Sequence, residues 1–218
     1  MPAEVAASQN PIRLALVDDH PTLLNGLAAI FQTDPGYHIV ATGGAAEDAE
    51  RIARDDRPDV MLLDLSMPGD IFAAIARMTR VSPALKLVVF TAFANVDLAL
   101  RALDAGALGF VLKGRPSNDL FDAIESVCLG ELYVSPEFSP ALLRGFRNKQ
   151  RPRATGFPLT VREEQLVDYL VAGASDSEVA GAMRLTDKLL GHYMTGLLRK
   201  LDAGSRSEAL SIARRLRT

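Results

Sequence analysis

The chain has 218 residues, 48% of them apolar, and a formal net charge of −3. This composition suits one or two packed domains and excludes intrinsic disorder. No stretch approaches the roughly 20 apolar residues of a membrane span. The first ten residues lack the basic and apolar parts of a secretory signal. We therefore expect a cytoplasmic protein with no membrane partner.

The charge is divided unevenly along the chain. Residues 1–150 contain 13 Lys/Arg and 19 Asp/Glu, a net charge of −6, whereas residues 151–218 contain 11 and 8, a net charge of +3. An acidic first part and a mildly basic second part favour a regulatory domain joined to a nucleic-acid-binding domain. The basic excess is too small to establish DNA binding by itself.

Five short apolar segments alternate with segments of helical periodicity in the first part of the chain. The predicted strands are Arg13–Val17, Tyr37–Thr42, Val60–Leu63, Lys86–Phe90 and Gly109–Leu112. Strands that alternate with helices indicate an α/β fold with a doubly wound parallel sheet. Right-handed crossovers then favour a flavodoxin-like, five-stranded sheet in the order 2-1-3-4-5. We assign this domain to residues 11–134.

A linker and a second domain follow. Residues 136–148 predict one further helix, and residues 149–156 are a hydrophilic segment without apolar periodicity, so the linker is placed at 135–156. Residues 157–218 predict an all-α domain of four helices. Three of these helices have a capping-box start, at Thr160/Glu163, Ser175/Glu178 and Ser205/Glu208. Two helices joined by a short turn, the second one longer, indicate a helix-turn-helix.

Polar residues follow four of the predicted strands directly. They are Asp18 with Asp19, then Asp64, Thr91 and Lys113. Each alone has an ordinary explanation; Asp64, for example, could cap the turn that follows it. In an open α/β sheet, however, the carboxyl ends of the strands meet at one edge, where ligands bind. The four together predict a functional site.

These segments resemble those of two-component response regulators. The matching motifs are Val17-Asp18-Asp19-His20, Leu63-Asp64-Leu65-Ser66-Met67-Pro68-Gly69, Phe90-Thr91-Ala92 and Gly109-Phe110-Val111-Leu112-Lys113. The C-terminal part, from residues 159–163 through residues 205–210, resembles the helix-turn-helix of the NarL/LuxR (FixJ-like) class. The resemblance covers nearly the whole chain and implies a receiver domain followed by a DNA-binding domain.

The resemblance also implies a magnesium-dependent phosphorylation site. Asp64 would be the phosphoacceptor for a sensor histidine kinase. Mg²⁺ would be held by Asp19 directly, by Asp18 partly through water, by Asp64, and by the backbone carbonyl of Ser66. Converging carboxylates repel one another unless a cation enters, and hard oxygen ligands suit Mg²⁺.

The same resemblance gives roles to the other strand ends. Lys113 and Thr91 would bind the phosphoryl oxygens, and Phe110 would be the aromatic switch that moves when Thr91 is pulled inward. An ordinary core position is an equally good interpretation of Phe110. No metabolic active-site motif is present, so the only chemistry expected is self-phosphorylation and self-dephosphorylation.

The predicted recognition helix extends from Thr186 to Leu201. Lys188 and Arg199 are placed to meet phosphates, and His192 and Thr195 to reach base edges. Gly191 stands where the family typically presents a lysine. Two hypotheses remain open: a transcriptional regulator that dimerises on phosphorylation and binds promoter DNA, and a phosphorylation-controlled protein-interaction module with a degenerate helix-turn-helix.

Overall fold

The computed structural model describes residues 10–114, 116–140, 142 and 159–216. The hydrophilic linker at 149–156 and most of the helix predicted at 136–148 lie outside the described residues. We call residues 12–134 the sheet domain and residues 161–216 the helical domain.

Six parallel strands form one sheet. They are β1 (Ile12–Val17), β2 (Tyr37–Gly43), β3 (Val60–Leu63), β4 (Lys86–Thr91), β5 (Gly109–Leu112) and β6 (Tyr133–Val134). The order 2-1-3-4-5-6 confirms the predicted order of the first five. The predicted count of five is wrong, because Tyr133–Val134 adds a short strand beside β5. A two-residue strand is too short to produce an alternating pattern in a sequence.

Helices cover both faces of this sheet. The sheet domain contains α1 (Pro21–Gln32), α2 (Ala46–Asp55), α3 (Ile71–Val81), α4 (Val96–Ala105) and α5 (Ser117–Cys128). Successive strand residues point to opposite faces, so Leu62 packs in the cluster with α1 and α5, and Leu63 in the cluster with α2, α3 and α4. The predicted doubly wound α/β class is therefore confirmed.

Local signals explain where several helices begin and end. The side chain of Asp70 accepts a hydrogen bond from the Ala73 amide at the start of α3, and Asn95 accepts from two amides at the start of α4. Gly106 ends α4 with φ of +116°, a left-handed conformation that glycine adopts readily.

The helical domain contains four helices, as predicted. They are α6 (Val161–Val171), α7 (Asp176–Met183), α8 (Asp187–Lys200) and α9 (Arg206–Leu216). The capping boxes of α6 and α7 are complete. The third predicted capping box, Ser205/Glu208, is only half formed. The Glu208 amide donates to the Ser205 hydroxyl, but the Glu208 carboxylate accepts from the Gly204 amide and not from the Ser205 amide.

The helical domain packs against the edge of the sheet where the strands begin. Helix α6 contacts α3 and α4. The turn between α7 and α8 contacts Lys86, the first residue of β4, and Gly130, which precedes β6. This edge is opposite to the one where the polar strand ends gather. No helix among the described residues is long and apolar enough to span a membrane.

Candidate functional site

Lys113 joins two of the acidic strand ends. Its Nζ lies 2.5 Å from Asp18 Oδ2 and 3.0 Å from Asp64 Oδ1. Asp18 and Asp64 are 4% and 2% exposed, so both carboxylates are desolvated and depend on a nearby cation for compensation. The ends of β1, β3 and β5 therefore meet as the sequence predicted for a doubly wound sheet.

The two oxygens of Asp64 have different surroundings. Oδ2 accepts a hydrogen bond of 3.0 Å from the Ser66 amide, which fixes the rotation of the carboxylate. Oδ1 is within ion-pair distance of Lys113, but the angle does not make a hydrogen bond, and this buried oxygen has no donor. A buried acceptor without a donor is uncommon and indicates a position meant for another group.

Asp19 and His20 extend the acidic pocket toward solvent. The Nδ1 atom of His20 lies 2.8 Å from Asp19 Oδ1 and 3.0 Å from Asp18 Oδ1. Ligand atoms of Asp18, Asp19 and His20 lie within 4.8 Å of one another, close enough for one metal ion. His20 is not among the residues predicted from the sequence, although its position directly after Asp18-Asp19 is a usable signal.

Thr91 and Phe110 are both fully buried. The Thr91 hydroxyl accepts a hydrogen bond of 3.4 Å from the Phe93 amide, just before α4. The Phe110 ring stacks on Phe138, with ring centroids 5.2 Å apart. In this conformation Phe110 is part of the core, and its role as a switch stays a prediction.

Three of the four predicted DNA contacts can be described in the helical domain. Lys188, Thr195 and Arg199 are exposed on α8, whereas the side chain of His192 lies outside the described residues. Thr195 donates a hydrogen bond of 2.8 Å to the carbonyl of Gly191, four residues earlier in the same helix. Leu190 and Leu197 are buried, so α8 has one apolar side and one open polar side.

An acidic pocket on a doubly wound sheet, joined to a helix-turn-helix, defines a signal-receiving regulator with a nucleic-acid-binding type of domain. Two family models match the chain: the response regulator receiver domain over residues 14–125, and the bacterial regulatory proteins of the luxR family over residues 158–213. The chain therefore belongs to the response regulators with a LuxR-type helix-turn-helix.

Individual relatives match over nearly their full length. The response regulator protein VraR of Staphylococcus epidermidis is 30% identical over 204 residues, which cover 93% of this chain and 96% of that protein. The transcriptional regulatory protein LiaR of Bacillus subtilis is 29% identical over 205 residues, 94% of this chain and 97% of that protein.

A solved structure supports the same assignment. The LuxR-family two-component response regulator from Aurantimonas sp. SI85-9A1 is 31% identical, with a TM-score of 0.59, and the match covers 63% of this chain and 99% of that one.

Proposed function

We propose that Asp64 accepts a phosphoryl group from a sensor histidine kinase, and that this controls dimerisation of the chain and its binding to promoter DNA. The observation that carries the proposal is the pairing of the buried Asp64 carboxylate, one oxygen of which has no hydrogen-bond donor, with the Lys113 ammonium. Phosphoryl transfer depends on such positioning and charge compensation.

Each residue of the pocket has a distinct task in this proposal. An Asp64 oxygen forms the new bond to phosphorus while the bond to the donor's leaving group breaks. Lys113 compensates the charge of the phosphoryl oxygens, and the Thr91 hydroxyl turns inward to donate a hydrogen bond to one of them. The space that Thr91 leaves would admit Phe110, at the cost of its stacking on Phe138. In this proposal the chemistry is phosphorylation and dephosphorylation of the chain itself.

The pocket also fits a magnesium ion. Asp18, Asp19 and Asp64, with the backbone carbonyl of Ser66, would supply the hard oxygen ligands that Mg²⁺ prefers. When bound, the ion neutralises phosphoryl oxygens and lowers repulsion among the carboxylates. His20 occupies the Asp18 and Asp19 oxygens from the solvent side, so its ring must give up those contacts when a cation binds there.

Phosphorylation can be tested by intact-mass measurement. Acetyl phosphate with Mg²⁺ should add one phosphate mass to the wild-type chain and none to Asp64→Asn. Asp70→Asn is the matched control, because this exposed aspartate caps α3 outside the pocket and should leave labelling unchanged. Equal labelling of Asp64→Asn and wild type would refute the proposed acceptor.

DNA binding needs a separate measurement. We expect the phosphorylated full chain to bind duplex DNA as a dimer, with an affinity that falls steeply as salt rises. Lys188→Ala and Arg199→Ala should weaken all duplexes about equally, whereas His192→Ala and Thr195→Ala should change the preference among sequences. Arg51→Ala, on the surface of the sheet domain, is the control. If no duplex binds at low salt, the protein-interaction hypothesis replaces DNA binding.

A further inference from the structure

Two buried polar side chains of α6 reach into the sheet domain. Arg162 Nη2 donates a hydrogen bond of 3.3 Å to the carbonyl of Gly106, and Gln165 Nε2 donates one of 2.7 Å to the carbonyl of Thr79. The two side chains also bond each other, Arg162 Nη1 to Gln165 Oε1 at 3.3 Å. One turn of α6 therefore binds the ends of two helices, α3 at Thr79 and α4 at Gly106.

Arg162 is a buried cation without an acidic partner among the described residues. It is 0% exposed, and its Nε atom has no hydrogen-bond acceptor. A charge in such a place is costly unless something compensates it. Gly106 is the C-cap of α4, and the carbonyls at the end of a helix carry partial negative charge. The compensation of Arg162 thus depends on where α4 ends.

Helix α4 connects this contact with the acidic pocket. It begins at Val96, shortly after Thr91 and Phe93, and ends beside Gly106 at the opposite edge of the sheet. The end of α4 is held closely against α3, since a Cβ atom added to Gly106 would lie 2.3 Å from Thr79 Oγ1. A displacement of this end of α4 moves the Gly106 carbonyl and would therefore change the Arg162 contact.

A second contact holds the turn of the helix-turn-helix. The amide of Thr186, the N-cap of α8, donates a hydrogen bond of 3.3 Å to the carbonyl of Gly130. An N-cap amide has no partner within its own helix, so its protection from solvent reports directly on docking of the two domains. The start of a recognition helix is also the part that meets base edges, so docking and DNA compete for this region.

We propose that Arg162, held by the carbonyl at the end of α4, is the residue that ties the position of α4 to the docking of the helical domain, so that a shift of α4 releases the helix-turn-helix. Arg162 acts through α4 and contacts neither the pocket nor DNA. The direction of the biological signal rests on the proposed function, whereas the mechanical link between α4 and Arg162 does not.

A double-mutant cycle tests the link in the full unphosphorylated chain. Gly106→Ala displaces the end of α4 from Thr79, and the exchange rate of the Thr186 amide, measured by NMR, reports docking. We expect Gly106→Ala to speed this exchange about tenfold with Arg162 present and less than about twofold in the Arg162→Met background. Equal factors in the two backgrounds, or no effect with Arg162 present, would overturn the proposal.

Two further variants separate coupling from simple adhesion. Arg80 of α3 pairs with Glu164 of α6 across the same interface, at 2.5 Å and half exposed, so this ion pair joins α6 to α3 and not to α4. In the Arg80→Met background, Gly106→Ala should therefore still speed the exchange of the Thr186 amide about tenfold. Arg162→Lys keeps a cation with fewer hydrogen-bond donors. In this background, Gly106→Ala should speed the Thr186 exchange by a factor between those of the wild type and Arg162→Met. If Arg80→Met abolishes the effect of Gly106→Ala on Thr186 exchange as Arg162→Met does, any weakened contact of the interface has this effect, and the proposal fails.

Beryllofluoride with Mg²⁺ gives a second way to move α4 if Gly106→Ala does not fold. Loading of the pocket is followed by fluorine NMR. In the loaded wild type we expect faster Thr186 exchange, and in loaded Arg162→Met no change. A loaded wild type with unchanged exchange overturns the link but not the phosphorylation site. A pocket that never binds beryllofluoride contradicts the proposed function, and the Gly106→Ala cycle then decides the link between α4 and Arg162. If Gly106→Ala is also unfolded, Thr79→Ser, which loosens the same contact, takes its place in the cycle.

Discussion

The ammonium group of Lys86 donates a hydrogen bond of 2.6 Å to the main-chain carbonyl of Arg184. Lys86 is the first residue of β4 and is 3% exposed, and Arg184 is the left-handed residue between α7 and α8. Burial, followed by the positive charges of Arg162 and Arg184, lowers the pKa of Lys86 to about 8, while Cys128 acts weakly in the opposite sense. Docking of the helical domain therefore encloses a cation among other cations.

Domain docking should become stronger as the pH rises from about 8 to about 10. The docked pKa of Lys86 is about 8, and release to solvent should return the pKa toward about 10.4. Between these values the docked form binds fewer protons than the open form, so raising the pH favours docking. Below about pH 8 the lysine is charged in both forms, and this dependence should vanish.

Small-angle scattering of the full chain between pH 7 and 10 can measure this dependence. The radius of gyration should fall as the pH rises, because docked domains are more compact. Lys86→Met should remove the effect. Lys188→Met, at an exposed position of α8, should retain it. A pH response that persists in Lys86→Met would assign the titration to another group.

The pocket was predictable from sequence because its geometry follows from topology. Parallel strands of a doubly wound sheet bring their carboxyl ends to one edge, so residues directly after the strands must converge. The contact of Lys113 with Asp18 and Asp64 therefore needed only the positions of three strand ends. The hydrogen bond that the Ser66 amide donates to Asp64 Oδ2 follows from the local turn after β3.

The contacts between the domains were not predictable in the same way. Arg162 lies two residues after a helix N-cap, where a charged residue is ordinarily solvated. Its complete burial depends on how α6 docks on α3 and α4, and no local pattern encodes that arrangement. The same reason applies to Lys86, which the sequence presents only as the polar start of a strand.

Lys113→Met should destabilise the sheet domain by about 2–4 kcal/mol at pH 7, because two buried carboxylates lose their cation. Urea unfolding followed by circular dichroism measures the change. Asp18→Asn in the Lys113→Met background removes one of the two charges and should recover most of the loss. If Lys113→Met leaves stability unchanged, the ammonium group does not compensate these carboxylates.

Gly69→Ala should disturb the loop after the phosphoacceptor. Gly69 has φ of +95°, and a Cβ atom there would lie 2.8 Å from Ala46 Cβ and 3.1 Å from the Glu47 carboxylate oxygens. Gly114 has φ of +82° with open space around it, so Gly114→Ala is the control for backbone strain alone. The control should cost about 1–2 kcal/mol, and Gly69→Ala about 1 kcal/mol more because of the close contact. If Gly69→Ala and Gly114→Ala lose the same free energy of unfolding in urea, α2 moves away from the added Cβ atom without cost.

Gly191→Lys should strengthen DNA binding. Gly191 is exposed on α8 and a Cβ atom there meets nothing within 4 Å, whereas one at Gly196 would lie 3.1 Å from Glu163 Oε1. A side chain at position 191 is therefore free of steric cost and should stabilise the helix by about 1 kcal/mol. An added cation on this face should meet a phosphate, so the slope of log affinity against log salt should steepen by about 1.

The control for added charge is Gly26→Lys. Gly26 is also an exposed helical glycine with nothing within 4 Å of an added Cβ atom, but it lies on α1 of the sheet domain. Fluorescence anisotropy with one duplex over a range of salt concentrations compares the two variants in the phosphorylated full chain. Gly26→Lys should leave the slope at its wild-type value. If the two substitutions steepen it equally, the gain comes from net charge, and α8 does not face the duplex.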